Sequence, residues 1–370
     1  MFRVLHIMGC GDVGGISKVI LNYYQHMDRN KVHFDIALTV DIEGQNVQQL
    51  RNLGCTIYHL PLKSKGIIKF ADALSSLLRN NHFDAIHVHE NETSYVALQI
   101  AKRAGIPCRI AHSHTTAPCF TLYDHFKRLT GIVFNNIYAT NIIGCGKLAG
   151  ERVFGKNSMK KTKSAVLPNA IDTTKYCFNE VIRTEVRHAL NISNDEIVIG
   201  MVGRISREKN YFQALRIFET ICDVLPKTKL LIAGNGELEA ELTHGIEQNK
   251  YKNKIVFLGK RNDINRLLQA YDIFFLPSIN EGFPIAAVEA MASGLPIMLS
   301  DTITRELGFG SAVNYIPLSC YNCWVDCVKK YIGDKNRHAR QNEVREHGLE
   351  IRDAVHNLIE IYASSATGDT

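Results

Sequence analysis

Short apolar runs alternate with stretches in helical period, and the alternation is made twice along the chain. In the first half the strand-like runs are 4–8, 32–39, 56–59, 85–89 and 108–111, separated by helix-like stretches at 16–27, 47–53, 67–79 and 93–104. The second half restarts at Ile197–Val202 and continues through 229–233, 255–258, Ile273–Leu276 and Ile297–Ser300, with helices at Tyr211–Val224 and Ile285–Ala292. Strands that are apolar throughout, each followed by a helix, bury both faces only in a parallel sheet covered on both sides. A chain of 370 residues is too long for one such core. It suits two α/β domains, each with its own interior.

The balance of 43 basic against 37 acidic residues gives a net charge of +6. That is too mild and too dispersed for nucleic acid, but it suits phosphates or anionic lipid. The ten cysteines form no framework, which predicts reduced thiols and a cytoplasmic protein. The opening apolar run is too short for a signal peptide before Gly9 breaks it. No run reaches the roughly 18 apolar residues of a membrane span, and the best, 131–145, is interrupted by Asn135, Asn136 and Asn141.

The chemistry concentrates in loops that follow strands. After Ile273–Leu276 comes a loop holding Glu281, Gly282, Phe283 and Pro284, then a helix from Ile285 that contains Glu289 and is closed by Gly294. Loops outside the carboxyl ends of strands are where open α/β sheets bind ligands. Two helical turns separate the carboxylates, so both can face one cleft, and the helix N-terminus offers N–H groups to an anion. After Ile197–Val202, Arg204 and Lys209 lie in a turn before a second helix N-terminus, two cations suited to a diphosphate. A glycine-rich turn, 9–15, follows the first strand.

His112 and His114 lie just past the strand 108–111. With His87 and His89 they offer a rival zinc reading. It is set aside because no carboxylate or cysteine ligand is well placed, so no metal is expected. Cys320, Cys323 and Cys327 fall at helical spacing and predict a buried helix face. Residues 115–136 mix Phe120, Leu122, Tyr123, Phe126, Leu129, Ile132 and Phe134 with His125, Lys127 and Arg128. An amphipathic helix there could lie on a membrane surface, as could the basic loop 156–163. Packing against its own domain is the simpler expectation.

Several segments carry a family resemblance. EGFPIAAVEAMASGLP, with its Glu-x7-Glu spacing, is similar to the signature of the retaining glycosyltransferases of family 4. VGR-x4-KN ending at Asn210, Gly14-Gly15-Ile16-Ser17-Lys18, and Pro168-Asn169-Ala170-Ile171-Asp172, with Ala170 in place of the usual glycine, resemble further elements of that family. The resemblance implies the GT-B architecture, two doubly wound Rossmann-like domains facing across a cleft. Domain 1–172 would bind the acceptor, with a C-terminal helix over about 348–363 packing back on it; 173–347 would bind the nucleotide-sugar; and 364–370 reads as a disordered tail.

It also implies roles. His114, Glu281, Arg204 and Lys209 would be catalytic. Gly15, Arg204, Lys209, Asn235, Gly236, Lys260, Arg261, Gly282, Phe283, Pro284, Ile285 and Glu289 would bind the donor, with Glu289 on the ribose. His112 and Asn169 would line the acceptor side. The partners implied are a UDP-sugar and a glycan or lipid-linked acceptor in capsule or exopolysaccharide assembly, with peripheral contact at the inner face of the cell membrane. No nucleic acid, metal or other cofactor is expected. A nucleotide-sugar epimerase and a catalytically degenerate sugar-nucleotide-binding subunit are the alternatives.

Overall fold

The computed structural model describes residues 1–9, 15–40, 43–116, 119 and 121–367. Two compact units are present, Met1–Ala170 with Ile351–Thr370, and Ile171–Glu350. The first unit carries β1 (Phe2–Met8), β2 (Val32–Leu38), β3 (Ile57–His59), β4 (Ala85–Val88), β5 (Cys108–Ser113), β6 (Asn141–Gly144) and β7 (Ser164–Val166). They form a seven-stranded parallel sheet in the order β3-β2-β1-β4-β5-β6-β7. The second unit carries β8 (Ile197–Val202), β9 (Thr228–Ala233), β10 (Ile255–Phe257), β11 (Ile273–Leu276), β12 (Ile297–Ser300) and β13 (Val313–Ile316). Its order is β10-β9-β8-β11-β12-β13, again parallel. Both are doubly wound Rossmann-like sheets, and their strand order reverses between β1 and β4 and between β8 and β11.

The helices close over these sheets by simple periodicity. Ile67–Asn80 buries Phe70, Leu74 and Leu78 at every fourth position, each contributing about 1.5–3 kcal/mol on leaving water. The core of the second unit gathers Met201, Phe218, Ile232 and Phe275 around Trp324. At the end of Ile285–Ala292, Gly294 takes a φ of +70°, and a Cβ there would come within 2.1 Å of the Arg337 carbonyl. Only glycine closes this helix without strain.

Several expectations are corrected. β6, β7 and β13 are strands beyond the apolar runs read from the sequence; β7 is only three residues long, and β6 and β13 carry Asn141 and Asn314, which break the apolar pattern. The last helix, Ile351–Thr367, runs into the segment expected to be disordered; Ser365 Oγ bonds Asn141 Oδ1 and the Ile361 carbonyl, each at 2.6 Å. Residues 368–370 lie outside the described residues.

The cysteines differ too. Cys320 and Cys323 form a disulfide, with Cα atoms 5.4 Å apart, a span that suits such a bond. Cys320 is the N-cap of Tyr321–Lys330, and the phase it sets turns Trp324, Val325 and Val328 inward rather than the cysteines.

Leu122–Tyr138 departs most from its expected packing. Leu122, Tyr123, Phe126, Leu129, Val133, Phe134 and Ile137 are exposed, Leu122 by 89%. The helix meets its unit through its small and polar side instead. Gly131 and Asn135 are its buried residues, and Asn135 Nδ2 donates to the Asn91 carbonyl at 3.2 Å. Phe120, expected on the same apolar face, lies outside the described residues. Lys161 and Lys163 flank the exposed stripe, donating to Asn136 Oδ1 at 3.3 Å and its carbonyl at 2.9 Å. No helix among the described residues is long and apolar enough to cross a membrane.

Candidate active site

The neighbouring strands β8 and β11 carry the loops that matter most in the second unit, at the point where strand order reverses. After β8, a 3-10 turn, Arg207–Lys209, leads to Asn210, whose left-handed φ of 57° starts the helix Tyr211–Val224. Asn210 Nδ2 donates to the Pro277 carbonyl at 3.1 Å, and the Ile279 N–H donates to the Glu208 carbonyl at 2.8 Å. These bonds stitch the two loops together.

The stitching brings Lys209 onto Glu281. Lys209 Nζ donates to Glu281 Oε1 at 2.5 Å, and Ser278 Oγ donates to the same oxygen at 2.8 Å. The side chains are only 18% and 13% exposed, so the pair is shielded from salt and water. Directly after it, the helix Ile285–Ala292 starts at Pro284 with no side-chain cap. The Lys209 ammonium and a helix N-terminus without a side-chain cap are the kinds of group that can meet an anion.

Glu289 faces inward on that helix, 1% exposed, and its Oε1 accepts from the Tyr176 hydroxyl at 2.6 Å. Burial, reinforced by the Glu289 carboxylate, raises the Tyr176 phenol well above its ordinary value, so it remains a donor. Tyr176 lies just past the Pro168-to-Asp172 segment, outside every motif, and carries no signal in the sequence.

The other expected donor residues are less concentrated. Arg204 is exposed and pairs with Glu237 at 2.9 Å, a surface contact worth about 0–1 kcal/mol and easily exchanged for a phosphate. Arg261 pairs with Asp263 at 2.7 Å, and Lys260 is exposed. The turn with Asn235 and Gly236 packs under Ile205, whose N–H donates to the Asn235 carbonyl at 2.9 Å. A Cβ on Gly236 would lie 2.3 Å from the Ile205 carbonyl, so packing alone accounts for that glycine. Phe283 and Pro284 are buried, with Gly282 and Ile285 half-buried.

In the first unit the strand ends hold imidazoles. His6 of β1 lies beside His87 of β4 in register, and the period of two puts His89, His112 and His114 on the same side of the sheet. His6 Nδ1 meets His89 Nε2 at 3.0 Å, His89 Nδ1 meets His114 Nε2 at 2.9 Å, and His87 Nε2 meets His112 Nδ1 at 3.1 Å. The Tyr362 hydroxyl joins His87 Nδ1 at 2.9 Å. Burial pushes His6 and His114 down to about 3. Burial and the neighbouring rings hold His87, His89 and His112 well below the ordinary value, so the cluster is neutral at pH 7. His6 escapes a motif-based reading; its one signal in the sequence is a histidine inside an otherwise apolar strand.

Asn91, Glu92, Thr115, Cys119, Lys127 and Arg152 help to line a polar cavity of about 220 Å³ in the same unit. Asn169 is buried. Gly15 begins the helix Gly15–His26, while 10–14 of the glycine-rich turn lie outside the described residues.

The family described as "Glycosyltransferase Family 4" matches residues 13–175, and "Glycosyl transferases group 1" matches residues 182–306. The protein described as "Putative glycosyltransferase EpsF" of Bacillus subtilis (strain 168) is 29% identical over 99% of this chain and 98% of its own length. The UDP-Gal:alpha-D-GlcNAc-diphosphoundecaprenol alpha-1,3-galactosyltransferase of Escherichia coli is 26% identical over 81% of this chain and 79% of its own. In fold, Anabaena HepE, solved in complex with UDP and glucose, superposes with a TM-score of 0.82 at 18% identity, covering 98% of this chain and 100% of that one. That likeness is to a GT-B glycosyltransferase fold. The two family matches together cover most of both units, so the chain is similar to glycosyltransferase family 4 along most of its length.

Proposed function

We propose that the protein moves a sugar from a UDP-sugar to a hydroxyl of a glycan or lipid-linked acceptor. The anomeric configuration is retained, no metal ion is required, and the product enters capsule or exopolysaccharide assembly. The observation that carries this reading is the Lys209–Glu281 pair beside the uncapped start of Ile285–Ala292, at the reversal of strand order where such sheets take their ligands. HepE holding UDP and glucose and the E. coli enzyme named for UDP-Gal support the choice of donor.

In this reading the second unit takes the donor and the first the acceptor. Lys209, the helix N-terminus, the Gly15 backbone and Arg204, released from Glu237, stabilise charge on the departing diphosphate. The bond from the anomeric carbon to the diphosphate oxygen breaks with its electron pair on the oxygen. The acceptor oxygen bonds to the same face of that carbon, and its proton passes to a diphosphate oxygen. Glu289, oriented by Tyr176, holds the ribose hydroxyls; Glu281 and His114 position the sugar. Asn235, Lys260 and Arg261 contact the nucleotide, and His112 and Asn169 serve the acceptor.

The exposed face of Leu122–Tyr138, flanked by Lys161 and Lys163, supports docking on the inner face of the membrane, where lipid-linked acceptors reside. The test is to incubate the protein with several UDP-sugars and a lipid extract containing such acceptors, with EDTA, and to read UDP release and the anomer formed. Acceptor-dependent release with retained configuration is expected. Donor conversion without acceptor would make it an epimerase, and binding without turnover a regulatory subunit; either overturns the reading.

A further inference from the structure

The transfer step proposed above uses two of the five clustered histidines and leaves the rest without a task. We propose that His89, His112 and His114 form a binding site for one divalent transition-metal ion of the zinc class. One ring nitrogen from each of the three lies within 4.8 Å of the other two. Among the described residues, His112 Nε2 is buried with no hydrogen-bond partner, an unmet polar atom that costs stability. An ion bound there would remove that cost.

The remaining histidines are placed as outer partners of such a site. His87 Nε2 engages His112 Nδ1 at 3.1 Å, which leaves Nε2 as the ligand atom of His112. His6 Nδ1 engages His89 Nε2 at 3.0 Å, which leaves Nδ1 as the ligand atom of His89. The Tyr362 hydroxyl then ties His87 at 2.9 Å and His6 at 3.5 Å to one point. Partners of this kind fix the tautomer and orientation of ligating imidazoles. A second trio, His6, His87 and His89, is also close enough, but its ring nitrogens are already engaged by one another, by His112, His114 and Tyr362.

The donor set selects the ion. Three neutral imidazoles without carboxylate suit zinc, cobalt, nickel or copper rather than magnesium or calcium. Three ligands also leave a fourth position open to water. His89 Nδ1 and His114 Nε2 stand 2.9 Å apart, against about 3.4 Å in a tetrahedral site with bonds of roughly 2.1 Å. A small ring rotation supplies the difference. The proton in that link moves to the other nitrogen of the ring that carries it, so the uncharged ligands release no net proton. The site shares His112 and His114 with the transferase reading, but ion uptake is measured without donor or acceptor, so the failure of one and the failure of the other are distinguishable.

The test uses the full chain, stripped with a chelator, dialysed and titrated with Zn²⁺ against a chromogenic competitor and with Co²⁺ by visible absorption. One ion per chain is expected. His112→Gln should weaken uptake by at least roughly a hundredfold, and His6→Gln, which removes an outer partner, by roughly 10–100-fold. No uptake by the wild-type chain, or uptake unchanged in His112→Gln, overturns the site and leaves a hydrogen-bonded core cluster. Greater loss in His6→Gln than in His112→Gln overturns the assignment in favour of the other trio. Should His112→Gln fail to fold, as read by circular dichroism, the half-buried His114→Gln takes its place in the titration on the same terms.

Discussion

The two sheets are wound alike, yet their strand ends carry opposite chemistry. At the β8–β11 reversal the groups are ionised: Lys209 against Glu281, Arg204 against Glu237. At the β1–β4 reversal they are neutral imidazoles whose charging is suppressed by burial. A site that receives a diphosphate needs a cation already formed, with a carboxylate holding it in place until the ligand arrives. A site for a hydroxyl or a borderline metal ion needs uncharged nitrogen lone pairs. One scaffold thus supports two kinds of site, and the local environment decides which.

The contrast can be broken first at Lys209. Lys209→Ala should lower kcat/KM for sugar transfer by roughly 10²–10³, or about 2.7–4 kcal/mol, measured by UDP release; a loss under tenfold would remove the lysine from the charge-stabilising role. Next comes Tyr176→Phe, which removes the hydroxyl that donates to the buried Glu289 carboxylate. The expected cost to the second unit is about 1.5–3 kcal/mol. Urea unfolding followed by Trp324, the single tryptophan and buried in that unit, gives the readout.

The neutral end makes the opposite kind of prediction. The folded value of His6, about 3, lies below its unfolded value of roughly 6.5. The unfolded chain therefore binds more protons in acid. The stability of the first unit is fully present above pH ~6.5 and falls towards pH 3, with a slope of about 1.4 kcal/mol per pH unit for each such imidazole. Hydrogen exchange in β1 and β4 should show that slope reduced in His6→Phe. An unchanged slope would mean that His6 does not contribute. The smallest effect concerns the exposed helix: Phe126→Ser should weaken sedimentation with anionic vesicles by roughly 1 kcal/mol, and equal binding would argue against that face as the docking surface.

Much of this arrangement was legible in the sequence because parallel strands are apolar throughout and their loops are punctuated by glycine and proline. The loops with Lys209 and Glu281 could each be placed at a strand end from alternation alone, but not as neighbours, because β9 and β10 lie between β8 and β11 in the chain. The pair itself could not, nor could Tyr176 under Glu289, since 113 positions separate the two. His87 and Tyr362 meet across 275 positions for the same reason. Periodicity shows that Leu122–Tyr138 has two faces, but not which one turns inward. Gly131, where an added Cβ would come within 2.7 Å of the Glu92 carbonyl, decides it through close backbone approach. The disulfide was missed because Cys320 begins its helix instead of lying within it.

Calorimetric titration of UDP, GDP and ADP against the wild-type chain and Lys209→Ala tests the central claim most directly. The account predicts that UDP binds the wild type at least roughly tenfold more tightly than GDP or ADP, a difference of about 1.4 kcal/mol, and that Lys209→Ala loses most of that affinity. Equal binding of all three nucleotides, or UDP binding unchanged in Lys209→Ala, would contradict it.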